Sequence, residues 1–137
     1  MIRSVGVLIG AATLVAALDL VQKELAISDP NRALFVHDRP LRYVVAGAAL
    51  SLAWAGAIAL TRSGAMALAG GIVLGGAAGN LLSFALWPSL SGVPDTLVAG
   101  GIAFSVGDVA VMAGIVSLLP ATAVFAARNR KRLLEPI

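Results

Sequence analysis

Four apolar stretches, residues 5–27, 43–60, 65–87 and 98–125, are each long enough to cross a lipid bilayer, and they leave little of the chain for anything else. Hydrocarbon about 30 Å thick is crossed by roughly 20 helical residues rising about 1.5 Å each. No water satisfies backbone N–H and C=O groups there, so only helices or closed barrels survive. None of the four stretches shows the period-two alternation of a barrel strand. The pattern predicts an all-α integral membrane protein, a four-transmembrane-helix bundle forming one domain over residues 1–137. With 12% charged residues, against about 25% in soluble domains, the chain has too few polar side chains to cover a water-soluble surface.

The connections are a polar stretch at 28–42, a tight turn at 61–64, and residues 88–97 with Pro88, Gly92 and Pro94; a basic tail covers 126–137. The N-terminal stretch reads as a retained helix, because no small-x-small cleavage site precedes a soluble region. An even number of spans brings both termini to one side. That side carries Arg3, Arg62, Arg128, Arg130, Lys131 and Arg132, against Arg32, Arg39 and Arg42 on the other, so both termini are expected in the cytoplasm. Basic residues in short clusters beside spans are orientation signals, which leaves membrane lipids as surroundings and no nucleic-acid partner. Without cysteine, and with the single His37, the chain offers no disulfide, thiolate site or zinc set. No metal or organic cofactor is expected. His37, Asp38 and Arg39 read as a solvated loop. Tyr43 and Trp87 read as interfacial anchors.

Gly71, Gly75 and Gly79 recur every fourth residue, a stripe that lets another helix come close. Ionisable and amide side chains in a span are expensive unless they face protein or water, which makes each a candidate for function. They are Asp19, Lys23 and Glu24 in the first span, Asn80 in the third, Asp95 before the fourth and Asp108 within it. Counting from the terminal side, Asp19 lies about 21 Å up, Asn80 about 23 Å, Asp108 about 26 Å and Lys23 about 27 Å. Polar groups from separate parts of the sequence thus share one layer in the outer half of the membrane.

Two aspartates meeting in such a layer cannot both ionise; one can deprotonate a water while the other protonates or polarises a carbonyl. Asp95 and Asp108 are the candidate pair for this aspartic-type hydrolysis. The alternative is that Asp95 is solvated in its loop and Asp108 pairs with Lys23. Asp19 and Lys23, four residues apart, neutralise each other on one helix face. Asn80 either orients a substrate or joins helices by a hydrogen bond, and Lys23 beside a serine such as Ser105 is a further base-nucleophile combination.

Several pieces of the sequence resemble the lipoprotein signal peptidase (signal peptidase II) family. Asp19-Leu20-Val21-Gln22-Lys23 fits its D-x-x-x-K, and residues 75–82, ending Gly79-Asn80-Leu81-Leu82, are similar to its glycine-rich G-N-L-I stretch. Val93-Pro94-Asp95 stands at its V-x-D and Phe104-Ser105-Val106-Gly107-Asp108 at its F-N-x-A-D. Ser83-Phe84 departs from the family's Asp-Arg, Ser105 replaces an asparagine, Gly107 an alanine, and Asp95 and Asp108 are closer in sequence than usual. The resemblance implies an aspartic endopeptidase of the bacterial cytoplasmic membrane that removes the signal peptide of a lipid-modified prolipoprotein. Asp95 and Asp108 would be catalytic, Asn80 and Ser105 would position substrate, and Asp19 with Lys23 would brace the first helix. Two other readings stand beside it. One is a non-catalytic relative serving as a subunit of a membrane complex with an unknown partner. The other is a proton-coupled transporter using Asp19 or Asp108.

Overall fold

The computed structural model describes residues 2–32, 34–38 and 40–130, with the backbone alone at Leu41. Four helices, α1 (Ile2–Ile27), α2 (Leu41–Thr61), α3 (Gly64–Leu86) and α4 (Val106–Arg128), are each long and apolar enough to cross a membrane. They run alternately up and down, so both ends of the described chain lie at one end of the bundle. Four short strands lie in the connections at the opposite end: β1 (Phe35–Asp38), β2 (Gly92–Asp95), β3 (Leu97–Ala99) and β4 (Ile102–Phe104). β1 pairs antiparallel with β2, and β3 with β4. Within the tail expected at 126–137, residues 131–137 lie outside the described residues, as does Arg39 in the first loop.

The fourth span therefore begins at Val106 rather than 98. Residues 97–104 form a hairpin instead, turning at Gly100 and Gly101 with φ of 59° and 81°, the left-handed pair a two-residue hairpin loop requires. Helix starts afterwards because Ser105 caps it. The Ser105 hydroxyl accepts from the backbone N–H of Asp108, and the Asp108 carboxylate accepts from the backbone N–H of Ser105. The α1–α2 and α3–α4 connections thus add strands to a bundle that is helical throughout its four spans.

Helix α3 is central, with α1 and α4 packed tightly against it and α2 more lightly. The glycine stripe faces α1. A methyl group at Gly71 would sit 2.6 Å from the Leu8 carbonyl oxygen, and one at Gly75 2.6 Å from that of Ala12. On the opposite side, Gly76 lies against the Gly107 carbonyl, and a methyl on Gly114 would come within 2.6 Å of the Val73 side chain. Such close approach is how helices gain van der Waals contact in lipid, where hydrophobic burial offers little. Tyr43 is exposed with Arg42 stacked on its ring, and the Trp87 indole N–H donates to Glu24.

Candidate active site

Lys23 is wholly buried, and so is Asp19. Each of the three ammonium protons meets an acceptor: Asp19 Oδ2 at 2.6 Å, Asn80 Oδ1 at 2.7 Å and Ser83 Oγ at 3.0 Å. Ser83 passes its own proton to the Gly79 carbonyl at 2.6 Å, and the second Asp19 oxygen accepts from the Gly107 N–H at 2.6 Å. A buried ion pair is tolerated when its remaining donors and acceptors are satisfied in this way. Glycine makes room for it, since a methyl at Gly79 would meet Asp19 Oδ2 at 2.5 Å. One cluster thereby ties α1, α3 and the start of α4 together.

Asn80 links this cluster to Asp108. Its carbonyl accepts from Lys23, and its Nδ2 donates to Asp108 Oδ1 at 2.9 Å. The other carboxylate oxygen accepts from the Ser105 N–H at 2.9 Å, and the Ser105 hydroxyl lies within 2.9 Å of it. Donors on both oxygens suit a carboxylate, an acceptor-only group, and the first turn of a helix favours a negative charge. Lys23 makes its ion pair with Asp19 and connects to Asp108 through Asn80. Of the two serines near Lys23, it is Ser83 that its ammonium hydrogen-bonds. Both hydroxyls are completely buried, and Ser105 contacts Asn80 and Asp108 instead. Asp19 is held between Lys23 and the Gly107 N–H.

Asp95 stands on β2, buried rather than solvated. Its carboxylate is paired with His37 Nδ1, whose residue the β1–β2 ladder brings alongside. The His37 side chain remains 61% exposed and that of Asp95 4%, so the imidazole bridges a buried acid to the outside. His37 therefore belongs to a strand and a carboxylate contact, not to a free loop. Sequence reasoning had no local signal for this, because the two residues are 58 positions apart.

Between α2, α3 and α4 lies a cavity of about 560 Å³ with mostly apolar walls, among them Trp54, Val73, Leu81 and Val111. Asn80 and Asp108 supply polar groups in its wall, and Val93 of β2 also lines it. Side chains two apart on a strand share a face, so Asp95 lies on the same face of β2 as Val93. The Trp54 indole N–H is buried and has no acceptor among the described residues. A tryptophan in mid-span, away from the interfacial belt, is the sequence signal that would have drawn attention to it. The structure thus joins Asp19, Lys23, Asn80, Ser105 and Asp108 in one hydrogen-bonded cluster and pairs Asp95 of β2 with His37 of β1 beside it. Among the described residues no group of His, Asp and Glu is arranged to hold a metal ion. No family model, curated protein or solved structure matches the chain, so the likeness to the signal peptidase II family rests on the residues quoted from the sequence.

Proposed function

We propose that the protein is an intramembrane aspartic endopeptidase resembling lipoprotein signal peptidase, acting on the signal peptides of lipid-modified prolipoproteins in the bacterial cytoplasmic membrane, with both termini in the cytoplasm. The observation that carries this reading is the position of Asp108: a carboxylate held on both oxygens by Asn80 and Ser105, in the wall of an otherwise apolar cavity between membrane-spanning helices. An apolar groove of this kind suits the hydrophobic helix of a signal peptide. Trp54 is part of its wall, with a buried indole N–H that has no acceptor among the described residues.

In the proposed reaction Asp108 takes a proton from water as the water oxygen adds to the scissile carbonyl carbon. The proton held between Asp95 and His37 passes to the departing amine as the C–N bond breaks and is replaced from solvent through His37, while Asp108 returns its proton to water once the acid product has left. Asn80 and Ser105 fix the Asp108 carboxylate; Asp19 and Lys23 fix Asn80. Cleavage of a lipidated prolipoprotein peptide by the purified full-length protein tests this. Activity is expected to vanish in Asp95→Asn and Asp108→Asn and to slow in His37→Gln. Undiminished cleavage in Asp108→Asn would overturn the reading.

A second reading is favoured by Phe84, which stands where the related family has an arginine, and by the closed hydrogen-bonding of the Lys23 cluster. In it the protein is a catalytically impaired relative that serves as a subunit of a membrane complex. A folded, monodisperse protein with no cleavage of any lipidated peptide, and a second protein retained on purification from its own membrane, would support it.

A further inference from the structure

At the end of the bundle that carries the chain termini, the α2–α3 turn and the last turn of α4 border a second cleft, of about 800 Å³. It has no part in the chemistry proposed above. Charge is distributed unevenly between the two ends. Of the seven Asp and Glu residues, Glu135 lies outside the described residues, and the other six, Asp19, Glu24, Asp29, Asp38, Asp95 and Asp108, all belong to the opposite half. The terminal end carries Arg3, Arg62, Arg128 and Arg130.

Arg62 and Arg128 line the cleft from two different helices, and neither has an ion-pair partner among the described residues. The backbone of Arg62 is pinned as the left-handed cap of α2, with its N–H bonded to the Ala59 carbonyl, so its side chain leaves from a fixed point. Ser63 accepts from the Met66 N–H, and its own hydroxyl proton has no acceptor among the described residues. Gly64 and Ala65, which open α3 with N–H groups that no preceding turn can satisfy, line the same cleft. The remaining wall has an apolar part beside Thr61 and Asn129. Leu60, 82% exposed, stands there with Val124 and Phe125.

Two guanidinium forks, a hydroxyl and backbone donors on one side suit phosphate oxygens. The apolar wall on the other side gives a free anion nothing, but it suits the first carbons of acyl chains. A zwitterionic headgroup would bring its own cation against the arginines. Basic pockets between spans at this depth are where anionic headgroups bind. We propose that this cleft binds the phosphodiester headgroup of an anionic phospholipid from the leaflet surrounding the chain termini. The site is independent of the protease reading.

Native mass spectrometry of the full chain in a nonionic detergent, with phosphatidylglycerol or phosphatidylcholine added in equal amounts, tests it. Phosphatidylglycerol adducts are expected to predominate, and Arg62→Gln and Arg128→Gln should each lower them about 5-fold. Arg42→Gln, which removes the same charge at the far end of the bundle, should leave them unchanged. Equal retention of both lipids would overturn the proposal. So would an equal fall in Arg42→Gln, which would reduce the effect to net charge. Displacement of phosphatidylglycerol by millimolar inorganic phosphate would assign the cleft to a free anion and overturn it as well.

Discussion

The two sides of α3 are built differently. Toward α1 and α4 it presents glycine against backbone and ends in a cluster of buried polar groups in which all three Lys23 donors are matched. Toward α2 it meets a helix of which Ile58 is the one described residue fully buried, and the space left over is the 560 Å³ cavity. In lipid, tight backbone approach and interhelical hydrogen bonds are the main sources of association. The first side has both, and the second has little of either. The contrast assigns positional accuracy to α1, α3 and α4, which hold Asp108, and ease of opening to α2, which would have to move for a transmembrane substrate to enter.

Removing the ammonium group should break the contrast most severely. Lys23→Met leaves the Asp19 carboxylate buried without its partner, and a loss of about 3–5 kcal/mol is expected, seen as a fall in Tm of about 10 °C or more in detergent. Asp108→Asn should separate chemistry from scaffold. Cleavage is expected to drop at least about 100-fold, while Tm falls by less than in Lys23→Met, because the amide oxygen can still accept from either Asn80 or Ser105, though not from both. Gly76→Ala forces a methyl against the Gly107 carbonyl, and an overpacking penalty of about 1–3 kcal/mol should follow. The same exchange on the loose side has the opposite sign. A methyl at Gly56 of α2 meets nothing within 4 Å, so Gly56→Ala should stabilise by about 0.5–1 kcal/mol through helix propensity. Equal responses of Gly76 and Gly56 in a thermal or denaturant titration would erase the distinction between the two sides.

The tight side was also the legible one. Gly71, Gly75 and Gly79 announce a close helix partner by spacing, and Asp19 with Lys23 announces an ion pair by the i, i+4 rule; both are local patterns. Hydropathy located the four spans but could not divide residues 98–125, because Val98, Ile102 and Phe104 are as apolar in a hairpin as in a helix. The division was nevertheless written in Gly100-Gly101 and in Ser105 with Asp108 three residues on, a turn signal and a capping signal. What local pattern could not supply was partnership at long range. Ser83 as the third acceptor for Lys23, His37 against Asp95, and the buried Trp54 beside the cavity depend on which segments the fold brings together.

Asp108 is at once a wall of the cavity and the residue that, with Ser105, starts α4. Competence and completion are thereby coupled during biogenesis. On the proposed reading, the carboxylate is neither oriented nor enclosed until the leading turn of the last span has wound and docked beside Asn80, so a partly inserted chain would carry no exposed hydrolytic centre into the membrane. Any ligand or partner that frays that single turn would silence the protein without touching the cavity.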